Sequence, residues 1–81
     1  MPSVEVRTLK TLGQVVRHAR TSSGIRASDL ADELAITPQY LSAIENGRPT
    51  LFSIRLFRIL RRLGITVTLT YEPPHDEVRD A

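Results

Sequence analysis

Between Arg26 and Gly47 the chain reads RASDLADELAITPQYLSAIENG, and this stretch leaves little choice of local structure. Leu30, Ala31 and Leu34 recur at the three- and four-residue spacing of one helix face, and Leu41 and Ile44 repeat it further on. The bridge between the two segments, Ala35-Ile36, is long enough only for a sharp corner. Thr37 suits the N-cap of the second helix, because its hydroxyl can accept a bond from a free amide of the first turn. Pro38 suits the position after it, where a missing N–H costs nothing. Glu45-Asn46-Gly47-Arg48-Pro49 then stops the helix: Asn or Gly adopts the left-handed conformation, and Pro49 resists continuation.

The rest of the chain can be placed around that pair. Thr8 is positioned to cap a first helix with Leu9, Leu12, Val15, Val16 and Ala19 as its buried stripe. Arg17, His18 and Arg20 lie near its end, where cations meet the negative end of the helix dipole. Thr21-Ser22-Ser23-Gly24 ends it, and Ile25 is expected as an apolar plug. Thr50 caps a last helix from Leu51 to about Leu63. Its wide apolar face, Leu51, Ile54, Leu56, Phe57, Leu60 and Leu63, is assigned to the core, with Arg55, Arg58, Arg61 and Arg62 on the remainder. Gly64 is the C-terminal cap. Ile65 to Tyr71 alternates strictly and is β-branched at five positions, a strand. A lone strand leaves its ladder groups unpaired. Its partner is either Ser3–Arg7, where Val4 and Val6 alternate, or the same strand of a second copy. The second is favoured, because antiparallel self-pairing gives a two-fold interface and would cover Ile65, Val67, Leu69 and Tyr71. Residues 72–81, with two prolines, much charge and one aliphatic residue, read as a disordered tail.

A helix, a corner and a second helix at this scale outline a helix-turn-helix, whose second helix enters the major groove of DNA. The run DLADELAITPQYLSAIENGRP resembles the Xre/Cro type of that motif, over Leu12 to about Tyr71. The resemblance implies a mostly helical, lambda-repressor-like domain of four to five helices over residues 1–71, with one C-terminal strand pairing across a dimer. The strand segment ITVTLTY after the last helix is most similar to the HipB-like antitoxins, DNA-binding partners of HipA-type kinase toxins. That likeness implies a homodimer that binds a palindromic operator, represses its own operon and neutralises a kinase toxin.

Composition is compatible with this. Residues 1–71 hold ten Lys/Arg, nine of them Arg, against five Asp/Glu, so the body is basic and suits a polyanionic partner. Arginine's fork also suits bidentate phosphate contact. With no cysteine, thiolate metal sites and disulfides are excluded. No apolar run approaches the ~20 residues of a membrane span, and the expectation is a cytoplasmic protein with no cofactor. His18 and His75 lack neighbouring ligands at metal spacing, no glycine-rich phosphate loop is present, and nothing positions a catalytic triad. An enzyme is the least favoured class.

Base edges are read from the start of such a recognition helix, and the outward positions here are Pro38, Gln39, Ser42 and Ala43. Gln39 leads, since its amide can donate and accept at once, as adenine requires; in an anonymous helix it would be a solvated side chain. Ala43 could touch only a thymine methyl. Phosphate contacts are assigned to Arg26, Ala27, Ser28, Thr37, Tyr40, Asn46, Gly47, Arg48 and Thr50. Ala27 stands where the family often carries a phosphate-binding glutamine, so Arg26, Ser28 or the backbone amides would replace it. Tyr40 is expected to pack its ring on the preceding helix. Arg20 and Glu45 resemble the family's ion pair between the first helix and the end of the recognition helix. Two rivals stand beside the antitoxin: a stand-alone repressor, and a protein-interaction module that kept the fold but lost DNA binding.

Overall fold

A computed structural model of the chain describes residues 3–72. The order of elements is β1 (Ser3–Val6), α1 (Leu9–Ser22), α2 (Ala27–Leu34), α3 (Pro38–Glu45), α4 (Leu51–Arg62) and β2 (Val67–Thr70). The domain is therefore mostly helical, with four helices and one small sheet. Most of the expected tail, residues 73–81, lies outside the described residues.

Caps set the helix limits. The hydroxyls of Thr8, Thr37 and Thr50 accept the amides of Thr11, Tyr40 and Ser53 at 3.2, 3.0 and 3.1 Å. At α4 the cap is reciprocal: the Thr50 amide donates to the Ser53 hydroxyl at 2.8 Å, so Ser53 serves where a capping box ordinarily has Glu or Gln. The corner after α2 is turned by Ala35 in the left-handed conformation, φ 59° and ψ 40°. The Ile36 amide then reaches back to the Ala31 carbonyl at 3.0 Å, which closes the helix end. After α3, Gly47 takes φ 67°, and the Arg48 amide returns to the Ala43 carbonyl at 3.0 Å.

Helices α1 and α2 both pack on α3, and β1 packs on α1. Val6, Ala31 and Leu41 form the buried apolar centre. Gly13 is buried where α1 crosses the end of α3; a Cβ there would lie 2.3 Å from the Ile44 carbonyl oxygen. That contact lets the backbones approach closely.

Two expectations are corrected. The C-terminal strand finds its partner inside the chain: β2 runs antiparallel to β1, with Ser3 opposite Thr70, Val4 opposite Leu69, Glu5 opposite Thr68 and Val6 opposite Val67. Valines at 4 and 6 place their side chains on the same face as Val67 and Leu69, so alternation on both strands fixes the register. Val67, Leu69 and Tyr71 are half-buried in this way, and Ile65 stays exposed. Tyr71 meets His18 of α1 edge-on, with ring centres 6.1 Å apart. The second correction concerns α4. Ser53 is buried and Phe57 and Leu60 half-buried, but Leu51, Phe52, Ile54, Leu56, Ile59 and Leu63 are exposed. The apolar face of α4 is wider than the surface the single chain can offer it.

Candidate nucleic-acid interface

Helix α3 is fixed from behind. The Arg20 guanidinium donates to both carboxylate oxygens of Glu45, at 2.6 Å from Nε and 3.0 Å from Nη2. Its Nη1 donates to the Ile25 carbonyl at 2.8 Å. The two side chains are 12% and 6% exposed, so the expected pair is present and largely shielded from water. The hydrogen bond to Glu45 holds Arg20 above its ordinary pKa; burial opposes this, and the opposite charge of Glu45 supports it. One side chain thus ties α1, the α1–α2 corner and the last residue of α3 together.

On its other side α3 is open. Pro38, Gln39 and Ser42 are exposed and share a shallow hollow with Arg48, which the turn at Gly47 brings back alongside the helix. Ala43 is half-buried. The Ser42 hydroxyl accepts from the Asn46 amide at 3.1 Å, which leaves its own O–H as a donor. Arg48 makes no ion pair among the described residues. A polar amide, a hydroxyl and an unpaired guanidinium therefore converge at the exposed start of one helix.

The proposed phosphate groups divide into free and engaged. Thr37 spends a lone pair on the cap and keeps its O–H. Thr50 is engaged in the capping box. Asn46 donates to the Ser42 carbonyl at 2.9 Å, so its amide closes α3. Gly47 sits against the backbone of Lys10, where a Cβ would approach the Lys10 Cα to 2.5 Å. Arg26 is bonded to Asp29 at 2.9 Å on the surface. Ser28 is exposed, Ala27 half-buried, and no side chain caps α2. The first amides of α2 thus lack intrahelical partners, as every helix start does. Tyr40 differs from expectation: it is 60% exposed rather than packed on α2, whereas Ala31 of α2 and Leu41 of α3 are buried.

Sequence reasoning missed Gly13, Ala35 and Ser53. A glycine inside an apolar helix stripe is a signal for close approach. Ser three residues after Thr50 is a weak but readable capping signal. Nothing local marks Ala35 for a left-handed corner.

A short helix that is capped, ion-paired from behind and exposed in front, joined to another by a three-residue corner, defines a helix-turn-helix protein. Residues 11–70 match the model of the helix-turn-helix domain family, and the chain belongs to that family of DNA-binding regulators. No match was found among curated proteins or among solved structures. Among the described residues, no helix is long and apolar enough to cross a membrane, and no cluster of His, Asp or Glu could hold a metal ion.

Proposed function

We propose that this chain is a sequence-specific transcriptional repressor of the cytoplasm that binds a palindromic operator as a homodimer. The convergence of Gln39, Ser42 and the unpaired Arg48 on the open face of α3 carries the reading. Gln39 pairs with adenine through its amide, Pro38, Ser42 and Ala43 line the base edges, and Arg48 grips the adjoining phosphate. Thr37, Tyr40, Ser28 and the free amides of α2 complete the backbone contacts, with Arg26, Ala27, Asn46, Gly47 and Thr50 shaping that surface. Two copies of α3 enter successive major grooves about 34–36 Å apart.

The test is a gel shift with the DNA upstream of the gene, against scrambled competitor at fixed salt. A shift that survives competitor and is lost with Gln39→Ala is expected. Gln39→Ala should leave the unfolding free energy within about 0.5 kcal/mol of wild type, as an exposed substitution does. Absence of any specific shift would favour an interaction module instead.

The finer reading is an antitoxin that also binds a kinase toxin, supported by the likeness of the Ile65–Tyr71 segment to HipB-like antitoxins. Co-expression with a kinase encoded beside the gene should yield a stable complex; a gene with no such neighbour is a stand-alone repressor.

A further inference from the structure

We propose that Asn46-Gly47 is a chemical modification site that the folded chain holds closed: a copy that unfolds loses the Asn46 amide to water through a cyclic imide, and with it the fit of α3 to DNA. The second half of the proposal rests on the repressor reading; the first half does not.

An asparagine followed by glycine is the dipeptide most open to this chemistry, because glycine has no side chain to shield its own amide nitrogen. Asn46 is the only asparagine in the chain, and it stands exposed at the end of α3. In the reaction the Gly47 nitrogen attacks Asn46 Cγ. The Asn46 amide nitrogen leaves as ammonia, carrying off the proton of the Gly47 N–H, and the cyclic imide remains. Water then opens the imide at either carbonyl. The products are aspartate, or its isomer with the backbone routed through the side chain. The net change is amide plus water to carboxylic acid plus ammonia.

The fold opposes the first step at several points. The Gly47 N–H donates to the Ile44 carbonyl at 3.0 Å, so the nucleophile is held protonated and turned towards the helix. Asn46 Nδ2 donates to the Ser42 carbonyl at 2.9 Å and to the Ser42 hydroxyl at 3.1 Å, which draws the electrophilic carbon back along α3. Ring closure requires Asn46 Cβ to enter the plane of the Asn46–Gly47 peptide, and a ψ of 1° leaves it well outside. Gly47 is not free to swing and correct this. At φ 67° it is wedged against α1, where a Cβ would lie 2.5 Å from Lys10 Cα. These restraints hold only while α1, α3 and the turn are assembled, so the reaction waits on local or global unfolding.

The product does not fit where the amide did. A carboxylate cannot donate to the Ser42 carbonyl, and it places negative charge at the negative end of the α3 dipole. It also stands two residues from Arg48, where it competes with a DNA phosphate for the guanidinium. A copy that has unfolded is thereby retired from DNA.

The full chain is incubated at mildly alkaline pH, folded in buffer or unfolded in urea. Peptide mapping by mass spectrometry follows conversion of Asn46. Loss of the amide is expected to be slower in the folded chain by about tenfold or more; equal rates would overturn the proposal. Asn46→Gln in urea should keep its mass over the same period, since its longer side chain closes a ring far less readily. A gain equal to wild type would put the reaction elsewhere and overturn the proposal. Converted and unconverted chains are then separated by ion exchange, refolded and gel-shifted with the DNA upstream of the gene. The specific shift should be lost with conversion, and an equal shift from both would overturn the functional half. A rate difference with no specific shift from either chain leaves the closed site standing and removes the repressor reading.

Discussion

Gly13 fixes how closely two helices can approach. A Cβ there would sit 2.3 Å from the Ile44 carbonyl oxygen and 2.6 Å from that of Glu45, both backbone atoms that cannot rotate aside. The same end of α3 is held by Arg20 at 2.6 Å, so glycine and ion pair act on one junction. Gly13→Ala gains about 1 kcal/mol of helix propensity, but forcing a methyl against fixed backbone costs about 1–3 kcal/mol. A net loss of stability is expected, read as a lower urea midpoint, together with weaker DNA binding as α3 shifts on α1. A midpoint equal to wild type would show that the junction yields without penalty.

At the scale of elements, the corner between α2 and α3 is strained at one point. Ala35 is the non-glycine residue with positive φ among those described, and an L residue there carries roughly 1–2 kcal/mol of strain. Ala35→Gly relieves it but adds freedom to the unfolded chain. The net expectation is a gain of up to about 1 kcal/mol, measured by thermal unfolding, and a loss would mean that the corner needs its methyl. The helices were legible because α1, α3 and α4 each begin on a threonine whose hydroxyl caps locally and because Leu30, Leu34, Leu41 and Ile44 repeat at helical spacing. The Arg20–Glu45 pair was legible through family likeness, and the geometry bears it out. Periodicity reports which side of an element is apolar and not what covers it. That is why β2 was assigned a partner in another copy when Val4 and Val6 supply one, and why the face of α4 was assigned to the core. Tyr40 follows the same pattern: an aromatic on a short helix reads as buried, yet it stands 60% exposed while its neighbour Leu41 is the buried residue.

For the whole molecule, the basic body and its unpaired arginines imply binding governed by released counterions. The logarithm of affinity for operator DNA should fall linearly with the logarithm of salt, and Arg48→Ala should make that slope shallower by about one. A slope unchanged by the substitution would remove Arg48 from the phosphate contacts. The sheet has a different consequence, one of timing. Ser3 and Thr70 pair across nearly the whole chain, whereas the helix-turn-helix is built from neighbours. Loop-closure entropy grows only slowly with length, so the long span is tolerated thermodynamically. During synthesis, though, β1 leaves the ribosome before β2 and must wait for it, and the reading head between them takes shape while the sheet is still open.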